Sequence, residues 1–241
     1  MEVKGAWGLV HGGLCAWRLP GDEGGPGVAR RLLGQVMGEL RLGRDVIEDG
    51  KLAVSEVATN ALRYAGRLAL PELWVWARTV PSPQLVVSVF DGDRTAVPSA
   101  AEGEPLDEHG KGLQLVREVT ADWGTAPTRS RFSAVPVCGK AVWFALPLPH
   151  DWPGLHYRLH PAAAAYHLLG NLARRGFEGT RSTGQNGMSV LVLPGLNVWV
   201  HCRSFCWWST PRCYVRRPLI DLQETTELLV RQLDLAPART S

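Results

Sequence analysis

No stretch of the chain approaches the ~20 uninterrupted apolar residues that a membrane-spanning helix needs. The first ten residues carry Glu2 and Lys4 and lack the long apolar centre of a signal peptide. A cytoplasmic protein without a membrane partner is therefore expected. Cysteine is sparse and odd in number. Cys15, Cys138, Cys202, Cys206 and Cys213 are irregularly spaced, which argues against a secreted disulfide framework and for reduced thiols. A strong charge of one sign is also missing: the net charge of +3 is too small to imply nucleic acid, and no direct nucleic-acid partner is expected. No internal repeat is visible. What is present is 45% hydrophobic and 20% charged residues, a balance that excludes a wholly disordered chain.

The charge that exists is unevenly placed. Residues 1–149 hold 16 Lys and Arg against 17 Asp and Glu, a net of −1, whereas residues 150–241 hold 10 against 6, a net of +4. Pro147, Pro149, Pro153 and Gly154 fall between the two, and a proline cluster ends an element because it removes backbone donors and restricts the preceding residues. We therefore expect one domain over residues 1–149 and a small α/β unit over 155–241.

Periodicity gives a coarse outline of the first domain. A short strand is expected at 14–19 and a helix at about 28–40, with Val28, Leu32, Val36 and Leu40 on one face. A longer helix follows at about 45–65, with Val54, Val57, Ala58, Ala61 and Ala65 as its buried stripe. Strands are expected at 73–79 and 85–90, paired antiparallel, then an acidic Gly/Pro-rich loop from Asp91 to Gly110, a helix at 113–121 and a closing strand at 141–146. This outline is α+β: a two-layer sandwich of a mixed, largely antiparallel sheet with helices on one face. In the second unit an Ala-rich helix is expected at 161–175. A hairpin turns at Pro194-Gly195-Leu196-Asn197, between strands at 188–193 and 198–202. A last helix starts at Asp221, where Glu224 three residues on makes an N-terminal capping signature.

Three segments carry candidate chemistry. Glu56 and Asn60 lie four apart on a helix and so share a face. A carboxylate beside a neutral amide suits Mg²⁺, which takes one or two protein oxygens when phosphates and water supply the rest; the pair also suits a plain polar stripe. Asp91 ends a strand at the mouth of a loop, where a carboxylate accepts a ligand amine or simply makes an Asp-Gly turn. Gly110-Lys111-Gly112-Leu113 stands directly before the expected helix. Glycines there admit phosphate, and a helix N-terminus offers free N–H groups and a favourable dipole; the same residues also suit a loop that merely caps the helix.

In this order the segments resemble the nucleotide boxes of the GHKL (Bergerat-fold) ATPases. The nearest likeness is the anti-sigma-factor serine/threonine kinase branch common in actinobacteria. Residues Leu52 to Ala65 resemble that branch's asparagine box. Gly110 to Leu113, Leu115-Val116 and Asp122-Trp123-Gly124 resemble its second glycine box and the strand after it, and Gly139 to Phe144 its closing strand. The resemblance covers roughly residues 14–149, about one domain. It implies a cytoplasmic regulator of transcription that binds ATP and Mg²⁺ and transfers the γ-phosphate to a protein of the sigma-factor or anti-sigma-antagonist class. Glu56 would be the catalytic base or water-orienting carboxylate and Asn60 the Mg²⁺ ligand. Asp91 would hold adenine, and Gly110, Lys111, Gly112 and Leu113 would close on the phosphates. Two departures stand out: Asp93 where the first glycine box has glycine, and Ala141 where the closing strand has a threonine whose hydroxyl supports the adenine site. They keep open a non-catalytic ATP-binding or protein-docking module. A homodimer is also left open.

The second unit carries no recognisable motif. His201, Cys202, Cys206 and Cys213 lack the paired spacing of a zinc site, and small buried cysteines are the preferred reading. Trp199, Trp207 and Trp208 among Arg203, Arg212, Arg216 and Arg217 suit base stacking by a nucleic-acid-associated regulator, but a tryptophan-rich core with a solvated basic edge is the preferred reading. The unit is expected to supply specificity for an acidic partner, not catalysis.

Overall fold

The computed structural model describes residues 5–64, 69–94, 108–184 and 187–235. It is α+β, built on two antiparallel sheets. The first contains β1 (Leu14–Arg18), β2 (Glu72–Arg78), β3 (Gln84–Asp91), β4 (Asp122–Arg129) and β5 (Cys138–Pro147), in the order β1-β2-β3-β5-β4. Every neighbouring pair is antiparallel, where a mixed sheet was expected. The reason lies in the crossover. The chain leaves β3, forms a helix and enters β4 in the same direction, but β5 then inserts between them and opposes both.

Three helices cover one face of this sheet: α1 (Gly25–Glu39), α2 (Arg44–Tyr64) and α3 (Glu108–Val119). Ala29, Leu33, Val36 and Met37 of α1, and Ala53, Val54, Val57, Ala58 and Ala61 of α2, recur at helical spacing. They pack on Val75, Val87, Val89, Val142 and Phe144. Gly50 lets α2 sit close, since a Cβ there would lie 2.8 Å from both Leu146 Cδ1 and Met37 Sδ. Trp152 and Leu155 also join this core, so the first packed unit extends past the proline cluster.

The second sheet runs β10-β9-β8-β7-β6. Its strands are β6 (Thr180–Thr183), β7 (Ser189–Leu193), β8 (Leu196–Val200), β9 (Ser204–Thr210) and β10 (Cys213–Pro218). The β7–β8 hairpin turns on Pro194 and Gly195, with Gly195 at φ +75°, tighter than the four-residue turn expected. Helices α4 (Pro161–Arg174) and α5 (Leu222–Leu235) lie on one face of it. Ala164, Leu168, Leu172 and Leu229 meet Leu191, Val198, Phe205 and Trp207 in a separate core.

The outer face of the first sheet is not open to solvent. Leu14, Trp74, Trp76, Val86 and Phe90 form a third buried cluster there, and residues of the C-terminal unit lie over it. β2 and β3 are consequently buried along their whole length, where helices on only one face were expected. The contact is polar as well as apolar. Asp221 Oδ1 accepts from the backbone N and Oγ1 of Thr79, both at 2.8 Å. Glu224 accepts from Trp76 Nε1 at 3.0 Å and pairs with Arg78. The two carboxylates expected to cap α5 are thus used to fasten it to β2. Among the described residues, no helix is long and apolar enough to cross a membrane.

Candidate functional site

The alternation of side chains along β3 and β5 decides which residues share a face. Val87 and Val89 point into the core beneath α2, and Phe90 into the opposite cluster, so Asp91 is on the helix side. Its partner across the ladder is Lys140, two residues before the core residue Val142. The Asp91 carboxylate is fully buried. Its Oδ1 accepts from Lys140 Nζ at 2.8 Å and from the backbone N of Asp93 at 2.9 Å, and Lys140 Nζ also donates to the carbonyl of Asp93. Asp91 Oδ2 is buried and has no hydrogen-bond partner. Burial pushes the Asp91 pKa up, against the opposing pull of Lys140 and the Asp93 N–H.

The same alternation moves Ala141 out of this site. It faces the other way and lines a cavity under α5 with Trp76, Trp143 and Glu224. A threonine at 141 would put its hydroxyl in that cavity and not beside Asp91. The residue of the closing strand that faces Asp91 is Lys140, and position along the strand was the available signal for it. Gly139 permits the approach of the strands, since a Cβ there would meet the Asp91 carbonyl oxygen at 2.1 Å.

Glu56 and Asn60 lie on α2, whose neighbouring Ser55 is held by Arg30 Nη1 at 3.1 Å. Glu56 reaches α3: a Cβ on Gly112 would stand 2.5 Å from Glu56 Oε2. Asn60 is partly buried, and its Nδ2 is buried without a partner. Gly110, Lys111, Gly112 and Leu113 lie inside the first turns of α3, not in a loop before it. The helix starts five residues earlier than expected because two glycines cost it only about 1 kcal/mol each relative to alanine, while Leu113 and Val116 bury against the first core. The first four N–H groups of α3 have no intrahelical acceptor; they belong to residues 108–111. Residues 95–107, within the acidic loop expected from Asp91 to Gly110, lie outside the described residues.

Glu56 and Gly112 thus meet where α2 packs on α3, Asn60 lies one turn further along α2, and Asp91 lies on the sheet face that α2 covers. In the second unit Cys206 is buried, and Cys202 and Cys213 are exposed. Trp207 is in the core, its Nε1 donating to Gln232 at 3.0 Å, but Trp199 is half-buried on the opposite face of the sheet and Trp208 is exposed, so the tryptophan-rich core expected here reduces to one tryptophan. No family model matches the chain, and no curated protein matches it in sequence.

Proposed function

We propose that the chain is a Mg-ATP-binding regulatory protein that resembles anti-sigma-factor serine/threonine kinases and transfers the γ-phosphate of ATP to a protein partner. The observation that carries this reading is the pair of unsatisfied buried polar groups at the two expected contact points, Asp91 Oδ2 and Asn60 Nδ2. Trp152 Nε1, Asp221 Oδ2 and Gln223 Nε2 are likewise buried without a partner, so it is the place of these two atoms that supports a ligand there. Asp91 Oδ2 suits the exocyclic amine of adenine, because Lys140 occupies only the other oxygen. The Asn60 Nδ2 is buried without a partner, and the oxygen of the same amide would be the Mg²⁺ ligand. Magnesium would neutralise phosphate charge. Glu56 would take the proton of the attacking hydroxyl, and the N–H groups opening α3 would face the phosphates.

Isothermal titration with ATP, with and without Mg²⁺, tests the binding. Asn60→Ala should lose the Mg²⁺-dependent part of the affinity with the fold intact; equal affinity in wild type and variant would refute it. Glu56→Gln keeps size and removes the base, so ATP binding should persist while phosphoryl transfer falls by a factor of about 10²–10⁴. A second reading, a non-catalytic ATP-binding or protein-docking module, is favoured by one observation: Lys140 neutralises Asp91 within the expected adenine pocket. Wild-type protein that binds ATP but neither hydrolyses nor transfers phosphate would establish it.

A further inference from the structure

We propose that the solvent-facing side of the second sheet docks an acidic polypeptide segment, which rests on and deepens the partner-binding half of the function proposed above. Residues 179–220 contain all the strands of this sheet and hold five arginines, no lysine and no aspartate or glutamate. Helices α4 and α5 occupy one face. On the other, the register sets Val190, Trp199, Cys206 and Arg216 in one row. Trp208 and Tyr214 stand opposite each other in β9 and β10. Trp208 is 48% exposed and Tyr214 50%, with ring centroids 5.1 Å apart. Val192 is 47% exposed. Arg203 and Arg212 sit in the turns at opposite ends of β9, and Arg216 is exposed on β10.

An aromatic and aliphatic centre edged by arginine is how protein interfaces are composed, and Trp, Tyr and Arg are their strongest contributors. A charged rim without a single carboxylate selects an acidic partner. A second copy of the chain would set arginine against arginine. Nucleic acid fits less well: the two exposed aromatics touch each other instead of spacing out for successive bases. Five strands at ~4.8 Å spacing and ~3.3 Å per residue give a face on the order of 400 Å². That suits a short extended segment better than a globular surface, which buries ~800 Å² per partner.

The test is selection of random displayed peptides of about twelve residues on the full chain without nucleotide, then fluorescence anisotropy of the best peptide, with oligothymidylate measured in parallel. Selected peptides should be rich in Asp and Glu with interspersed apolar residues. Trp208→Ala with Tyr214→Ala should weaken binding at least about tenfold. Arg212→Glu with Arg216→Glu should do the same and remove the dependence on salt. Should the aromatic variant melt differently from wild type, the arginine variant decides, because its side chains are exposed. No selection, no acidic bias, affinity untouched by the deciding variant, or oligothymidylate bound more tightly than the peptide would each overturn the proposal. Asn60→Ala separates the two claims: peptide binding should survive in it whatever becomes of ATP.

Discussion

Asp221 shows how one buried group sets a pH dependence. Its carboxylate holds Thr79, but its Oδ2 is buried without a partner, and burial raises its pKa to about 6. The unfolded value is near 3.9, so between about pH 4 and 6 the folded state binds more protons than the unfolded one. Its contribution to stability is fully present below pH ~4 and is lost as pH rises through ~6. Asp221→Asn keeps an acceptor for Thr79 and removes the titration. It should raise the melting temperature at pH 7–8, by the equivalent of about 1–3 kcal/mol, and leave it unchanged at pH 4. An equal effect at both pH values would mean that burial of this charge is not what shifts stability. Gly112 is the second telling residue. Gly112→Ala improves helix propensity by about 1 kcal/mol but displaces Glu56 Oε2, which would stand 2.5 Å from the new Cβ. Thermal stability should hold or rise while phosphoryl transfer falls, and unaltered transfer would place Glu56 outside the reacting group.

At the scale of elements, α5 is the clasp between the two sheets. Glu227 accepts from Arg175 Nη2 at 2.5 Å and from Thr128 Oγ1 at 2.9 Å. Arg175 is completely buried, 4.3 Å from the ring centre of Trp74. Burial pushes the guanidinium pKa down, and the neighbouring Glu227 carboxylate opposes this. Asp234 pairs with Arg129 at 2.8 Å and Arg94 at 3.1 Å. Removing one member of such a pair strands the other in a dry interior. Glu227→Ala should therefore cost about 3–5 kcal/mol in urea unfolding, and Glu227→Ala with Arg175→Met should cost less than the single change. A single-variant loss below about 1 kcal/mol would show that water reaches the pair, as at an ordinary surface bridge. The element boundaries of the first unit were largely readable because apolar residues recur at a period of 3.6 along α1 and α2 and run almost unbroken along β2 and β3. β4 (Asp122–Arg129) has neither a clean alternation nor an apolar run, and only the resemblance suggested a strand there.

At the scale of the molecule, the two packed units share the outer face of the first sheet. A fragment ending at Pro149 uncovers Trp74, Trp76, Val86 and Phe90 and also loses Trp152 from the first core. It should aggregate, or melt at least about 10 °C lower, since each buried large apolar side chain contributes about 1.5–3 kcal/mol. Size-exclusion chromatography and circular dichroism read this directly. A monomeric, well-folded fragment that binds ATP as the full chain does would restore the simpler division at the proline cluster. Local spacing was enough for the α+β class, the antiparallel β2–β3 pair and the shared face of Glu56 and Asn60, since neighbours in sequence set which side chains lie together. Leu73 to Ala77 and Leu85 to Phe90 are almost continuously apolar, a local pattern that already implies burial on both faces of a strand. Tertiary structure alone decided that Lys140 and not Ala141 faces Asp91, that Glu56 meets Gly112, and that Asp221 and Glu224 bind β2 instead of capping α5. Those outcomes depend on strand register and on contacts between residues up to 148 positions apart, which no local pattern encodes.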